Sequence, residues 1–252
     1  MARAAVPGGL SARRAWRDAT LVERRPETDS AVTLVLDVDG WPGHLPGQHV
    51  DVRLTAPDGY TATRSYSVSA PEHGDRVELT IQRVPDGEVS TFLADGLAVG
   101  DAVRLRGPVG GWFVWRPGQA GPVLLVAGGS GIVPLMAMLR ARVAGSPPFR
   151  LVYSVREPDD VIYRDELAAI AATDDVEVRL VHTRRAPEGA ARPAGRLQGT
   201  DLLTATGWDG GDPPTCYVCG PTGFVESAAD LLVGLGHAAD RIRTERFGPS
   251  GP

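Results

Sequence analysis

The sequence predicts a two-domain α+β chain: an N-terminal antiparallel β-barrel, then an α/β nucleotide-binding type of domain on a parallel sheet. Three observations predict it. The chain has 252 residues, long for one compact domain and comfortable for two. Up to about Trp115 it reads as short strands broken by Gly and Pro, and beyond Arg116-Pro117-Gly118 it reads as strand and helix in turn. The first strand of the second half, Val123-Leu124-Leu125-Val126-Ala127, is apolar throughout, as expected where both faces are covered. The expected domains are therefore 16–117 and 118–252, preceded by a loose arm over 1–15 whose Gly, Ala and Arg show no periodicity.

In the first half, Thr33 to Val38 ends at Asp39-Gly40, and His49 to Leu54 alternates before Pro57-Asp58-Gly59. Arg76 to Ile81 alternates as well, and Asp101 to Leu105 follows a Gly. Strands at this spacing suit a small antiparallel barrel, interrupted by one short helix over roughly Val89 to Asp95. In the second half, strands are expected at Phe149–Val155, Val176–His182, Thr215–Val218 and Arg241–Phe247. Helices are expected over about Pro134–Val143, Asp165–Ala172 and Phe224–Leu235, with right-handed connections and a surface loop over Ala186–Gly195.

Composition narrows the chemistry. With 42% hydrophobic and 23% charged residues the chain is an ordinary globular one. A formal net charge of -5 argues against general binding to nucleic acid or an anionic membrane. Lys is absent, which excludes a Schiff-base catalyst and a Lys-bearing P-loop, so phosphates must be held by Arg, hydroxyls or backbone N–H groups. The two cysteines, Cys216 and Cys219, lack the second ligand pair of a structural zinc site, and on a strand they face opposite sides. The five His residues form no recognisable metal set, so no metal is expected. Neither an apolar leader at the N-terminus nor a bilayer-length apolar run is present, and the expected location is the cytoplasm.

Four constellations carry possible chemistry. In Arg64-Ser65-Tyr66-Ser67, a strand places Arg64 and Tyr66 on one face and Ser65 and Ser67 on the other. A guanidinium suits a phosphate and a Tyr ring suits a flat heterocycle, although an ordinary edge strand reads the same way. Gly87-Glu88-Val89-Ser90 opens the short helix, where N–H groups favour an anion; a plain turn with a Ser cap is the alternative. Gly128-Gly129-Ser130-Gly131-Ile132-Val133-Pro134 follows an apolar strand and opens a helix, the order of a dinucleotide pyrophosphate site. Its Pro134 replaces the last Gly of the usual fingerprint, and Pro is tolerated in a first helical turn. Cys219-Gly220-Pro221 stands at the C-terminal end of a strand, where open α/β sheets bind ligands.

In this order, together with Gly107-Pro108-Val109-Gly110 and Glu245-Arg246-Phe247-Gly248, these motifs resemble the ferredoxin–NADP reductase family of flavoproteins. More narrowly, they are similar to reductase components of bacterial oxygenases, over about residues 16–248. The resemblance implies that Arg64 binds the flavin phosphate, that Tyr66 packs on the flavin beside Ser65, and that Ser67 donates toward its N5. Ile81, Arg83 and Val84, with Gly87, Val89 and Ser90, would hold the rest of FAD, FMN being the other flavin the barrel accepts. Gly129, Ser130, Gly131 and Ile132 would cradle the nicotinamide dinucleotide, with Cys219, Gly220 and Pro221 near the nicotinamide. Phe247 would cover the flavin, and Glu245 would serve as a proton relay.

For the nucleotide, Ser154 and Arg156 offer a hydroxyl and a guanidinium suited to a 2′-phosphate, with Arg184 or Arg185 as a second clamp. NADPH is therefore expected, while Glu157 points toward NADH. The cysteine spacing of a [2Fe–2S] domain is missing from the sequence, so the resemblance implies a separate redox partner, a ferredoxin or oxygenase component. Two other readings are an NAD(P)H:flavin reductase and a non-catalytic flavin-binding relay subunit.

Overall fold

A computed structural model describes residues 15–172, 176–206 and 212–248. Apart from Ala15, the arm expected over 1–15 lies outside the described residues. The chain divides into two compact units, one built on Ser30–Arg116 with Met136–Ala141 and the other on Pro117–Leu135 and the residues from Arg142 on.

The first unit is a six-stranded sheet of β1 (Trp16–Thr28), β2 (Ala31–Asp37), β3 (His49–Thr55), β4 (Thr61–Ser67), β5 (Arg76–Gln82) and β6 (Ala102–Val109). The strand order is β4-β3-β6-β1-β2-β5, and β4 and β5, at opposite ends of that order, approach each other where Val68 bridges Leu79. Period-two alternation turns one face inward: Val50 and Val52 on β3 and Val103 and Leu105 on β6 are buried, while Arg104 between the latter two is exposed. Between β5 and β6 the short helix α1 (Glu88–Thr91) runs into one wider turn, Phe92–Gly96, and buries Val89 and Leu93 in the same core.

A buried polar pair closes one side of this unit. Trp41 Nε1 donates to His44 Nδ1 at 2.9 Å, and the other ring nitrogen of His44 lies 3.0 Å from the Ala70 carbonyl. A carbonyl only accepts, so His44 Nε2 carries the proton and Nδ1 accepts; the ring is neutral. Burial lowers the His44 pKa, against smaller upward contributions from the Ala70 carbonyl and Glu72.

The second unit is a parallel sheet of β7 (Val123–Gly128), β8 (Phe149–Val155), β9 (Val176–His182), β10 (Thr215–Pro221) and β11 (Ile242–Phe247), in the order β11-β10-β7-β8-β9. Every residue of β7 is buried, as its unbroken apolar run requires. The helices are α2 (Ile132–Arg140), α3 (Arg164–Ala171), α4 (Gly199–Thr206) and α5 (Thr222–Gly234). Leu202 of α4 and Val225, Ala228 and Leu232 of α5 pack on Leu124, Val126, Val152, Val181 and Val218. Helix α2 starts two residues ahead of the expected Pro134, which sits in its first turn where its missing N–H costs nothing. Helix α4 was not legible in the sequence; Leu202 seats it on the core and a charged contact from outside the helix holds its first turn. Its Asp201 is buried and takes two hydrogen bonds from Arg192, at 2.6 and 2.8 Å.

Strand order fixes where a ligand can sit in this unit. From β7 the chain moves outward through β8 to β9, then returns to the other side of β7 for β10 and β11. The connections leaving β7 and β10 therefore diverge, and the crevice beyond their carboxyl ends is the binding position of an open α/β sheet. No helix among the described residues is long and apolar enough to cross a membrane. Among the described residues no group of three His, Cys, Asp or Glu side chains is placed to hold a metal.

Candidate functional site

On β4 of the first unit, Arg64 is exposed, Tyr66 half-buried and Ser67 buried. The Arg64 guanidinium makes one hydrogen bond, from Nη1 to the Thr63 carbonyl at 2.8 Å, and leaves its other donors open among the described residues. Tyr66 packs against the barrel core, and burial pushes its hydroxyl up to about 12, with Arg64 pulling slightly the other way. Ser67 Oγ is buried and has no hydrogen-bond partner among the described residues. A buried hydroxyl without a partner is costly, so this one fits a ligand that completes it. Ser65 is engaged differently: its hydroxyl donates to Asp51 at 2.7 Å, and Arg106 donates twice to the same carboxylate at 2.7 and 3.1 Å. Burial raises the Asp51 pKa, and these donors outweigh it, leaving the carboxyl below its usual range.

Ile81 and Val89 are core residues. The Arg83 guanidinium pairs with Asp95 at 3.0 Å, and Val84 is exposed. Ser90 Oγ accepts from the Val84 backbone N–H and donates to the Gly87 carbonyl, both at 3.2 Å, closing the turn before α1. Gly87 is demanded by that turn, since a Cβ there would lie 2.5 Å from Ser90 Oγ.

In the second unit the turn after β7 and the end of β10 press together. A Cβ on Gly131 would lie 2.1 Å from the Cys219 carbonyl oxygen, and one on Gly128 would lie 2.6 Å from the Phe224 ring. Gly220, with φ at 152°, leaves room for Gly128 O, which a Cβ would approach to 2.9 Å. Gly129 is different: its φ is 53°, and nothing lies within 4 Å of where its Cβ would stand. The two partly exposed residues of the turn, Gly129 and Ser130, thus face open space at the start of α2, while Gly131 and Ile132 are buried. Backbone N–H groups at such a helix start suit a pyrophosphate.

Cys219 is fully buried at the end of β10, paired in register with Ala127 on one side and Glu245 on the other. Burial and then the Glu245 carboxylate push its thiol well above the usual range. Phe247 pairs with Pro221 two residues further along and is half-buried. Cys219, Gly220, Pro221, Glu245 and Phe247 are therefore brought to one edge by the sheet.

At the ends of β8 and β9, Ser154 is buried and Arg156 and Arg184 are exposed, without a salt bridge or side-chain hydrogen bond among the described residues. The backbone N–H groups of Arg184 and Arg185 both donate to the Arg156 carbonyl, at 2.9 and 3.2 Å. Arg185 is engaged with Glu157: its Nε and Nη2 reach one oxygen at 3.0 and 2.7 Å, and Nη2 lies 3.2 Å from Asp159. The sequence shows both residues but not their pairing, because 28 positions separate them and only the β8–β9 register joins their loops. The Arg192–Asp201 pair was missed outright, and an Arg in a Pro-, Gly- and Ala-rich loop gave no signal of it.

Residues 19–114 match the oxidoreductase FAD-binding domain, and residues 125–230 match the oxidoreductase NAD-binding domain. The chain is 34% identical to ferredoxin–NADP reductase B of Sorangium cellulosum, over 80% of this chain and 84% of that protein. It is 32% identical to the ferredoxin–NAD(P)+ reductase component of the naphthalene 1,2-dioxygenase/salicylate 5-hydroxylase systems of a Ralstonia species, over 82% of this chain and 61% of that protein. Among solved structures it is similar to the ferredoxin reductase in carbazole 1,9a-dioxygenase, with a TM-score of 0.79, 27% identity, and 93% of this chain covered against 70% of that one. The chain spans about three-fifths of the length of the first curated relatives it matches, 60 to 61%.

Proposed function

Since the chain belongs to the ferredoxin–NADP reductase family of oxidoreductases, we propose that it oxidises NADPH on FAD and passes the electrons singly to a separate redox protein. The observation that carries this is Ser67, a buried hydroxyl without a hydrogen-bond partner among the described residues, beside an Arg with donors open among them and a half-buried Tyr. FAD, when bound, supplies the hydride-accepting ring and the ability to release electrons one at a time.

The residues act by holding and orienting. Arg64 binds the flavin phosphate, Tyr66 packs on the ring system, and Ser67 donates a hydrogen bond toward N5. The main chain of Ile81–Val84 and Gly87–Ser90 holds the remainder of the cofactor. Gly129 and Ser130 receive the pyrophosphate of the nicotinamide nucleotide. Cys219 stays a neutral thiol at the edge where the nicotinamide would lie, Phe247 would offer its ring as a cover for the flavin, and Glu245 would hold or move a proton. Catalysis by such a site is mostly orientation, since reacting atoms must come within roughly 3–3.5 Å.

NADPH is preferred to NADH in this reading. Arg156 and Arg184 are free cations at adjoining strand ends, which suits a 2′-phosphate, and Glu157 is already engaged by Arg185. The partner is an iron–sulfur protein or oxygenase component, the class with which the Ralstonia and carbazole-system relatives are named. The cytoplasm, where NADPH is regenerated, is the setting. The test is turnover of the FAD-loaded chain with NADPH and ferricyanide as a one-electron acceptor. Ferricyanide reduction that needs both FAD and nucleotide supports the reading, and its absence with either nucleotide refutes it.

A further inference from the structure

Four charged side chains meet at the ends of two neighbouring strands. Arg156 and Glu157 leave β8, and Arg184 and Arg185 leave β9. The loop after β9 is anchored at both ends. Its start is tied by the Arg184 and Arg185 N–H groups on the Arg156 carbonyl, and its far part by Gly195 N–H on the His182 carbonyl at 2.9 Å. The Arg192–Asp201 pair then locks it to α4. The positions of Arg184 and Arg185 are thus set by the fold, and the two guanidiniums are used differently.

The Glu157 carboxylate is occupied. Arg185 Nε and Nη2 both donate to one of its oxygens, and the carboxylate also accepts the Asp160 backbone N–H in the capping box that closes the turn Pro158–Asp160. Asp159, the neighbouring acid, takes Arg185 at 3.2 Å and Arg164 at 3.3 Å. An acid at the end of this strand is the group that accepts hydrogen bonds from the ribose hydroxyls of an unphosphorylated dinucleotide and repels a 2′-phosphate. Here it is neutralised in place, while Arg156 and Arg184 keep their charge.

We propose that Arg185 is a positioning residue for nucleotide choice: by keeping the Glu157 carboxylate engaged it tilts the site toward the 2′-phosphorylated dinucleotide. This rests on the reading of that edge as the dinucleotide site. The pair is half exposed, with side-chain exposures of 58% and 40%, so it contributes little to folding, and its removal leaves the sheet intact. Releasing it frees Glu157 of its cation, leaves Asp159 with Arg164, and leaves Arg156 and Arg184 untouched. The effect is therefore on the ratio of two affinities and not on chemistry.

The test is calorimetric titration of the purified chain with 2′,5′-ADP and with 5′-AMP, two fragments that differ only in the 2′-phosphate and report without flavin reduction. The wild type is expected to favour 2′,5′-ADP. Arg185→Ala is expected to lower that preference roughly ten-fold, the worth of a hydrogen bond to a charged group. In Arg185→Ala, KM for NADPH should rise and KM for NADH should fall while kcat holds, and Arg185→Ala with Glu157→Gln is expected to recover the wild-type preference. An unchanged preference in Arg185→Ala overturns the proposal. So does a loss of equal size in the Glu157→Gln background, which would mean that Arg185 meets the phosphate itself. A wild type that favours 5′-AMP would instead overturn the NADPH reading, and the comparison of the single and double variants would still decide what Arg185 does.

Discussion

Cys219 and Glu245 lie side by side as register partners on the adjoining parallel strands β10 and β11, so an acid stands next to a fully buried thiol near the carboxyl end of the sheet. Burial raises the thiol pKa first and the carboxylate raises it further. Cys216, on the same strand, is pushed up to about 12 by burial. Neither sulfur is a thiolate near neutral pH. The folded protein is therefore expected to leave both cysteines unreacted with a thiol-specific disulfide reagent at pH 8, and to react fully once unfolded. Rapid reaction of the native protein would show that Cys219 is exposed or ionised.

Ser67 and Arg64 separate two contributions on one strand. Ser67→Ala removes a hydroxyl that has no hydrogen-bond partner among the described residues, so the fold loses little. FAD should stay bound, while stopped-flow reduction by NADPH slows by about ten-fold or more. Arg64→Ala should instead weaken FAD binding by about ten-fold or more, as loss of a charge-assisted phosphate contact does. Wild-type reduction in Ser67→Ala would remove that hydroxyl from the chemistry.

His44 makes stability depend on pH. Its folded pKa lies below the ordinary histidine value of about 6.5, so below that value the unfolded chain binds the extra proton more readily. Its contribution is complete above about pH 6.5 and is lost as pH falls through the folded pKa. Urea midpoints should therefore drop on acidification through this range, and less so in His44→Gln. A flat profile in the wild type between pH 7 and 5 would contradict the neutral ring between Trp41 and Ala70.

Much of the fold was legible because period and punctuation coincide. Strand β7 is apolar from Val123 to Ala127 and ends in glycines, and β8 and β9 run over the ranges the pattern marks. Strand β4 was harder: Thr61–Ser67 has one buried aliphatic residue, Ala62, so its chemistry was read from Arg64-Ser65-Tyr66-Ser67 as a motif. Which members of a motif face a ligand was not legible. Ile81 and Val89 turn into the core, Ser65 turns to Asp51, and Gly131 faces the Cys219 backbone, because these choices depend on contacts from distant parts of the chain.

The glycines of the turn after β7 should divide in the same way. Gly131→Ala places a Cβ 2.1 Å from the Cys219 carbonyl oxygen, a backbone atom that cannot move aside, and should cost about 2–4 kcal/mol. Gly129→Ala meets no atom and bears only the penalty of its positive φ, about 1 kcal/mol. Denaturant titration of the two variants measures the difference. Equal stabilities would mean that the turn is looser than the packing against β10 requires.

The most direct measurement is the visible spectrum of the chain loaded with FAD and freed of excess cofactor, followed under anaerobic conditions as NADPH is added. The flavin band is expected to persist through gel filtration and then to bleach with about one equivalent of NADPH per bound FAD, the stoichiometry of a two-electron hydride. A preparation that cannot retain FAD, or a yellow one whose band neither NADPH nor NADH bleaches, would contradict it.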